Sequence, residues 1–154
     1  MNDTRQYPPC PIVGVGAVIV HEGRVVIVKR RYEPLAGRWS LPGGTLELGE
    51  TLETGVAREM LEETGLEVEV GPLIGAFDRI IIDDEQRVRY HFVLVDYLCW
   101  PTGGVLQASS DVEEAVLVEP GGLGGYNLTE KAQSVILQAL ALNERLGRSS
   151  RTPG

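Results

Sequence analysis

The chain has 154 residues, 43% hydrophobic and 23% charged, and its 22 acidic side chains against 14 Lys and Arg leave a net charge of −8. That is one domain's worth of chain, enough to bury roughly 70% of its unfolded surface, and its acidity speaks against nucleic-acid polymers, which reward a basic surface. Neither a membrane span nor a secretory signal is visible, and two cysteines, Cys10 and Cys99, are too few for a disulfide framework and lack metal-site spacing, which fits a reducing cytoplasm.

Residues 1–11 are polar and proline-rich and read as an extended arm. Strands are predicted over 12–20 and 24–29, joined by a turn at His21-Glu22-Gly23. Residues 31–44 follow as a long loop with short extended pieces, punctuated by Pro34, Gly37, Pro42 and Gly43-Gly44. A helix is predicted over 52–64, with Thr51 as its N-cap and Gly65 as the left-handed residue that ends it. Further strands are expected over 68–70 and 73–82, then a hairpin turn at 83–86. Residues 88–100 carry apolar side chains on both faces from Phe92 onward, as a central strand would. Loop and edge structure over 105–114, a short strand over 115–118 and a glycine-rich loop over 121–127 lead to a last helix over 130–146. Thr129 caps that helix, Ala132, Val135, Ile136, Ala139 and Leu140 form its apolar stripe, and Gly147 ends it. The 148–154 tail reads as disordered. Strands around one mid-chain and one C-terminal helix suggest helices packed on a mixed sheet, an α/β (α+β) fold over 12–147.

Between positions 47 and 63 lie six glutamates (47, 50, 53, 59, 62 and 63) and one base, Arg58. At 100° per residue, Leu52, Val56, Ala57, Met60 and Leu61 share an apolar half of the helix, while Glu59, Glu62 and Glu63 crowd an arc of about 100° on the other side. Like charges at i,i+4, such as Glu59 and Glu63, oppose helix formation by a few tenths of a kcal/mol, so a cation is expected beside them. Arg58 stands at i,i+4 to Glu62 and neutralises one charge. Hard divalent ions, Mg²⁺ above all, suit the remaining carboxylates together with phosphate oxygens. Gly55 shares this face, and as a helix-interior glycine costing about 1 kcal/mol it reads as clearance for a substrate or metal or, equally, as a tolerated glycine. A charged helix face by itself is most often simply solvated; the wider spacing decides otherwise.

From Gly44 the chain reads Gly44-x5-Glu50-x7-Arg58-Glu59-Met60-x-Glu62-Glu63-x-Gly65-Leu66. This resembles the Nudix box of the Nudix hydrolase family at all seven fixed positions over residues 44–66, a pattern that chance would supply on the order of once in 10⁹ starts. Met60 and Leu66 fill its bulky aliphatic positions, and the preceding Trp39-Ser40-Leu41-Pro42-Gly43-Gly44 is similar to the family's usual lead-in. The resemblance implies an α/β/α sandwich with a mixed sheet between helices. It implies hydrolysis of a nucleoside diphosphate linked to another group X, with Mg²⁺ or, as a substitute, Mn²⁺.

By position, Glu59, Glu62 and Glu63 look like the metal-binding carboxylates, with the Gly43 carbonyl as a further ligand. Glu50 resembles the first box glutamate, which supports the metal site, and Arg58 the arginine that orients the glutamates. In this family the general base is a box glutamate or an acid from a later loop. Here Glu62 is favoured, with Asp111, Glu113 and Glu114 in the place of the later acid and Glu114 kept as the candidate. Gly43 and Gly44 let the backbone approach phosphate closely.

Outside the box the sequence is quieter. Gly44, Arg30, Arg38 and Tyr32 are the expected substrate contacts, arginine being suited to phosphate and Tyr32, like Phe77, Tyr90 and Tyr126, to stacking on a base. His21 and His91 receive no role. Gly14-x-Gly16 lacks the third glycine of a dinucleotide fingerprint, since Ile19 stands there. Many ADP-ribose-cleaving members carry a proline about 15 residues beyond the box, where this chain has Ile81 and Ile82, although its layout still resembles the small bacterial ADP-ribose pyrophosphatases. The expected substrate is therefore a small nucleotide, ADP-ribose-like or a nucleoside triphosphate, with a homodimer compatible with the resemblance. The alternative is a nucleotide-sensing module that binds without turnover; such modules are expected to lose box glutamates, and none is missing here.

Overall fold

A computed structural model of the chain describes residues 5–148. The expectations for residues 1–4 of the arm and 149–154 of the tail lie outside the described residues.

Strand β1 (Ile12–His21) and strand β2 (Arg24–Arg30) form a hairpin whose turn places Glu22 and Gly23 at positive φ, 51° and 78°, as a two-residue turn matched to strand twist requires. Both strands are near-continuous Val and Ile because both their faces are covered. Val18, Val20, Val25 and Ile27 pack against the C-terminal helix α2 (Glu130–Arg145), and Val15, Ala17, Ile19 and Val26 belong to the cluster under helix α1 (Leu52–Thr64). Short strands β3 (Trp39–Ser40) and β4 (Gly43–Thr45) come from the long loop. Strands β5 (Leu66–Ile82), β6 (Val88–Gly104) and β7 (Val112–Val118) complete a seven-stranded sheet with the order β3-β2-β1-β6-β5, in which β4 pairs with β1 and β7 with β2. The β1–β6 pair is parallel and the others antiparallel. A helix on each face of a mixed sheet is the expected α/β/α sandwich.

Helix α1 has the predicted bounds. The Thr51 side chain accepts the Thr54 backbone N–H, and Gly65 closes the helix at φ 78°. Val56 and Met60 are fully buried, but Leu61, expected on the apolar half, is 49% exposed. In α2 the predicted stripe is buried at Ala132, Val135, Ile136 and Ala139, with Leu140 at its margin.

The longest departure lies in the 66–104 hairpin. The two strands expected over 68–70 and 73–82 are one, because register shifts around Val70, Leu73 and Gly75 absorb the Gly71-Pro72 step that reads as a break in sequence. Its partner β6 continues past Trp100 to Gly104. It lies between β1 and β5 and buries consecutive residues Val95, Asp96, Tyr97, Leu98 and Cys99, as a strand covered on both faces does. Strand β7 begins at Val112, three residues before the expected start, and the glycine-rich segment folds as a 3-10 turn over Pro120–Gly125. At the chain's end Arg148 is ordered against its neighbours: its guanidinium sits 3.7 Å over the Trp100 ring and pairs with Glu69 at 3.0 Å. Cys10 and Cys99 are both free thiols, exposed and buried respectively. Among the described residues no helix is long and apolar enough to cross a membrane.

The arm is docked rather than loose. The Tyr7 N–H donates to the Arg89 carbonyl at 2.7 Å and its hydroxyl to Asp83 at 2.8 Å. Asp83 is the organising residue of the β5–β6 turn: its carboxylate also accepts the backbone N–H groups of Glu85 and Arg87. These donors, the Arg87 N–H first, hold its carboxyl down at about 2 against an ordinary 3.8. A depressed carboxyl contributes stability that is present above its unfolded pKa and lost as the pH falls through the folded one. Asp83→Asn is therefore expected to lower Tm by a few degrees at pH 7, with the gap to the parent chain closing as the pH is taken from about 4 to 2; thermal melts across that range check it.

Candidate active site

Arg58 is the hub of the acidic helix edge. Its Nε donates to Glu50 at 2.6 Å and its Nη2 to the other Glu50 oxygen at 2.8 Å, a two-pronged contact. Nη1 donates to Glu59 at 2.8 Å and to Glu62 at 3.1 Å, and Nη2 also donates to the Thr45 carbonyl at 3.1 Å. The i,i+4 contact with Glu62 expected from spacing is present, yet the strongest partner is Glu50, eight residues back. Arg58 holds the Glu50 carboxyl well below its usual range, at about 2, with help from the Glu47 backbone N–H. The same contact raises the guanidinium above its ordinary value. Glu50 thus sits behind Arg58 as its anchor.

The other carboxylates differ in burial. Glu62 is 59% exposed at its side chain, whereas Glu59 is 13% exposed. Burial pushes Glu59 above the ordinary carboxyl value despite Arg58. Glu63 accepts the Gly43 backbone N–H at 3.1 Å and has no ion pair among the described residues. Burial first, and Glu59 beyond it, push its carboxyl up to about 8. This edge is therefore not a solvated charge run, because two of its three acids are turned in against β4.

The glycines explain how they fit. A Cβ on Gly44 would stand 2.2 to 2.5 Å from the Glu59 carboxylate, and one on Gly43 would stand 2.4 Å from the Val15 carbonyl across the β1–β4 ladder. Gly55 has a different role from the one expected. A side chain there would meet Leu46 at 2.6 Å and Glu50 at 3.2 Å, so it makes room for the protein's own groups and not for a substrate or metal.

Above this edge opens a cleft of about 670 Å³. Of the sequence-predicted residues it brings together Gly43, Gly44, Arg58, Glu59, Glu62, Glu63, Arg30 and Tyr32. Three predicted residues stand outside it: Glu50, behind Arg58, together with Arg38 and Glu114. Arg38 donates to the Leu128 and Asn127 carbonyls at 2.6 and 3.5 Å and so ties the long loop to the start of α2. Glu114 lies within β7 opposite Lys29, because that strand starts early, and Asp111 is the later acid that reaches the cleft. Val112, an apolar residue between Asp111 and Glu113, is the sequence signal for where loop gives way to strand, and the structure buries it.

The donor set suits a hard divalent cation: carboxylate oxygens in a row, one of them buried without a cationic partner. As placed, Glu59 and Glu62 turn toward Arg58 and Glu63 toward the Gly43 amide, and among the described residues no three Asp, Glu, His or Cys side chains close on one point.

Comparison with known proteins follows from the same residues. The family model of the NUDIX domain matches residues 11–139. A MutT-like protein of Streptomyces ambofaciens is 43% identical over 105 residues, covering 68% of this chain and 61% of its own. An ADP-ribose pyrophosphatase of Methanocaldococcus jannaschii is 35% identical over 105 residues, covering 68% of this chain and 60% of its own. The match thus spans about three fifths of each relative's length. Among solved structures, the MutT NUDIX hydrolase of Burkholderia pseudomallei superposes with a TM-score of 0.68 at 29% identity, covering 84% of this chain and 98% of that one.

A carboxyl whose folded pKa is raised contributes no stability once ionised: the folded chain holds its proton more tightly, and stability falls as the pH rises from about 4.5 through about 8. In EDTA, Glu63→Gln is expected to flatten that decline and to melt a few degrees above the parent chain at pH 9, with the advantage gone by pH 4.5. Parallel pH-dependent melting curves would contradict the burial account.

Proposed function

The chain belongs to the Nudix family, and on that footing we propose that it is a divalent-cation-dependent pyrophosphohydrolase. It cleaves the diphosphate of a nucleoside diphosphate linked to X, ADP-ribose-like or a nucleoside triphosphate, and releases a nucleoside monophosphate. The observation that carries the reading is the Arg58-clamped row of Glu59, Glu62 and Glu63 facing the Gly43-Gly44 strand at the foot of a cleft.

A diphosphate carries negative charge that repels both this acidic edge and an attacking water. Mg²⁺ or Mn²⁺ would neutralise the phosphates and lower the pKa of a bound water. Glu59, Glu62 and Glu63 would hold it, with the Gly43 carbonyl as a further ligand. The chain's own part is positional. Glu50 fixes Arg58, and Arg58 sets the spacing of Glu59 and Glu62, so that less ordering remains to be done when substrate binds. Glu62 is the most open of the three acids and the one best placed to accept the water's proton. Asp111 is the second acid within the same cleft. Arg30 and Tyr32, which line the same cleft, would supply a guanidinium for phosphate and a ring for a base. A cytoplasmic setting agrees with a nucleotide substrate and with two free thiols.

The name of the Methanocaldococcus relative puts ADP-ribose first among substrates to test. A panel of ADP-ribose and ordinary and oxidised nucleoside triphosphates, assayed with Mg²⁺ and with Mn²⁺, should show nucleoside monophosphate as product. Glu62→Gln should lower kcat by about 10²- to 10⁴-fold with little change in Tm. Full activity in that variant would overturn the assignment, as would tight ADP-ribose binding without turnover in the parent chain.

A further inference from the structure

Behind β4, on the side away from the acidic helix edge, lies a second and more compact cavity of about 110 Å³. It adjoins the cleft: Arg30, Ser40 and the Gly43–Thr45 strand line both. Its charge is opposite. In a chain of net charge −8, this wall carries Arg5, Arg30, Arg79 and Lys131 against a single carboxylate, Asp96.

The carboxylate is already spoken for. Asp96 is 1% exposed in the middle of β6, and one oxygen lies 2.6 Å from Lys131 Nζ. Lys131 also sits 5.6 Å over the Phe77 ring. Gly16 makes this possible, since a Cβ there would come within 2.7 Å of the other Asp96 oxygen. Asp96 also acts on Arg79, and Glu63 and Glu33 act on Arg30 from the cleft, yet four cations line this wall against one carboxylate. Arg30 is held by the Pro34 carbonyl at 2.7 Å. Among the described residues the Arg79 guanidinium makes no hydrogen bond or ion pair, Asp96 acting on it only from a distance, and it is partly buried in β5 opposite Phe92. Burial lowers Arg79, Arg30 and Lys131 below their ordinary values; neighbouring cations add to the effect at Arg30, while Asp96 opposes it at Arg79 and Lys131.

Desolvating a charge without a close partner is unfavourable. A guanidinium with five donors is shaped for a two-pronged contact with phosphate or carboxylate. The start of α2, at Thr129, joins the same wall and adds a favourable potential for an anion.

We propose that this cavity is an anion subsite in which Arg79, with Arg30 at the boundary with the cleft, seats a phosphate group borne by the substrate at a distance from the diphosphate that is hydrolysed. The inference rests on the hydrolase reading above for the identity of that substrate, but not for the existence of the subsite. It divides the site by charge: the acidic edge draws cations and the basic cavity draws the substrate's remaining anion. Substrates with a further phosphate, such as a nucleotide phosphorylated on its distal sugar, are then favoured over those ending in a neutral group.

Inorganic phosphate tests the subsite with no divalent ion and no turnover. In EDTA, phosphate at about twenty times its dissociation constant should raise the Tm of the full chain by about 4 °C over chloride at matched ionic strength. Arg79→Gln should keep its phosphate-free Tm within about 2 °C of the parent, since no protein partner is lost, and should abolish most of the shift. Arg145→Gln, at the far end of α2, should keep the shift. No shift in the parent chain, or an equal shift in Arg79→Gln, overturns the subsite while leaving the hydrolase reading intact. Paired substrates with and without the distal phosphate separate a substrate group from a free anion. The parent should prefer the phosphorylated one at least tenfold through KM, and Arg79→Gln should bring the ratio near one. An unchanged ratio would overturn the assignment to substrate.

Discussion

The two-pronged contact between Arg58 and Glu50 is the interaction on which the site depends. Glutamates 59, 62 and 63 sit within little more than one helical turn and repel one another, and a helix carrying them has no reason of its own to hold them in one arrangement. Arg58 supplies that reason only because Glu50 fixes it from behind, at 2.6 and 2.8 Å, leaving the remaining N–H groups aimed at Glu59, Glu62 and the Thr45 carbonyl. One guanidinium thus joins the loop before the helix, the helix edge and strand β4. Gly55 has its purpose here too, because a side chain at that position would press on Glu50.

Strand β4 is the second constraint. It is only three residues long, yet it separates two cavities of opposite charge. Its glycines let it lie close to β1 on one side and to the Glu59 carboxylate on the other. The close approach turns Glu59 and Glu63 out of water and raises both carboxyls. On the proposed reading a divalent cation would take the place of the proton there, since a ligating carboxylate must be deprotonated. The sheet does the rest. With α1 on one face and α2 on the other, the start of α2 and the middle of β6 reach the same strand from behind.

What sequence revealed and what it hid follow the range of the interactions. Helix α1 was legible to the residue because its ends are local chemistry: Thr51 caps it and Gly65 takes a conformation that favours glycine. The box spacing marked the acidic edge for the same reason, as all its members lie within 23 residues. Hairpin length was not legible, since Gly71-Pro72 looks like a break until pairing with β6 carries the strand through it. Leu61 followed the helical period but found no neighbour to cover it. Glu114 was drawn toward the site by the family's later-loop acid and Arg38 by its place in the long loop, and tertiary contacts send them elsewhere. The basic cavity was invisible, because Arg30, Arg79, Asp96 and Lys131 come from four elements. A trace of it was present in Asp96, an ionisable residue inside an otherwise apolar central strand.

The account stands on the acidic edge of α1 being where a divalent cation resides. Paramagnetic broadening of backbone amide signals by substoichiometric Mn²⁺ tests this directly, residue by residue. The account predicts that signals of Gly43, Gly44 and residues 58–63 vanish first, and that Mg²⁺ in excess restores them. First loss at other acidic clusters, such as Glu67 and Glu69 on β5 or the Asp83–Glu85 turn, with Gly43, Gly44 and residues 58–63 still sharp, would contradict it.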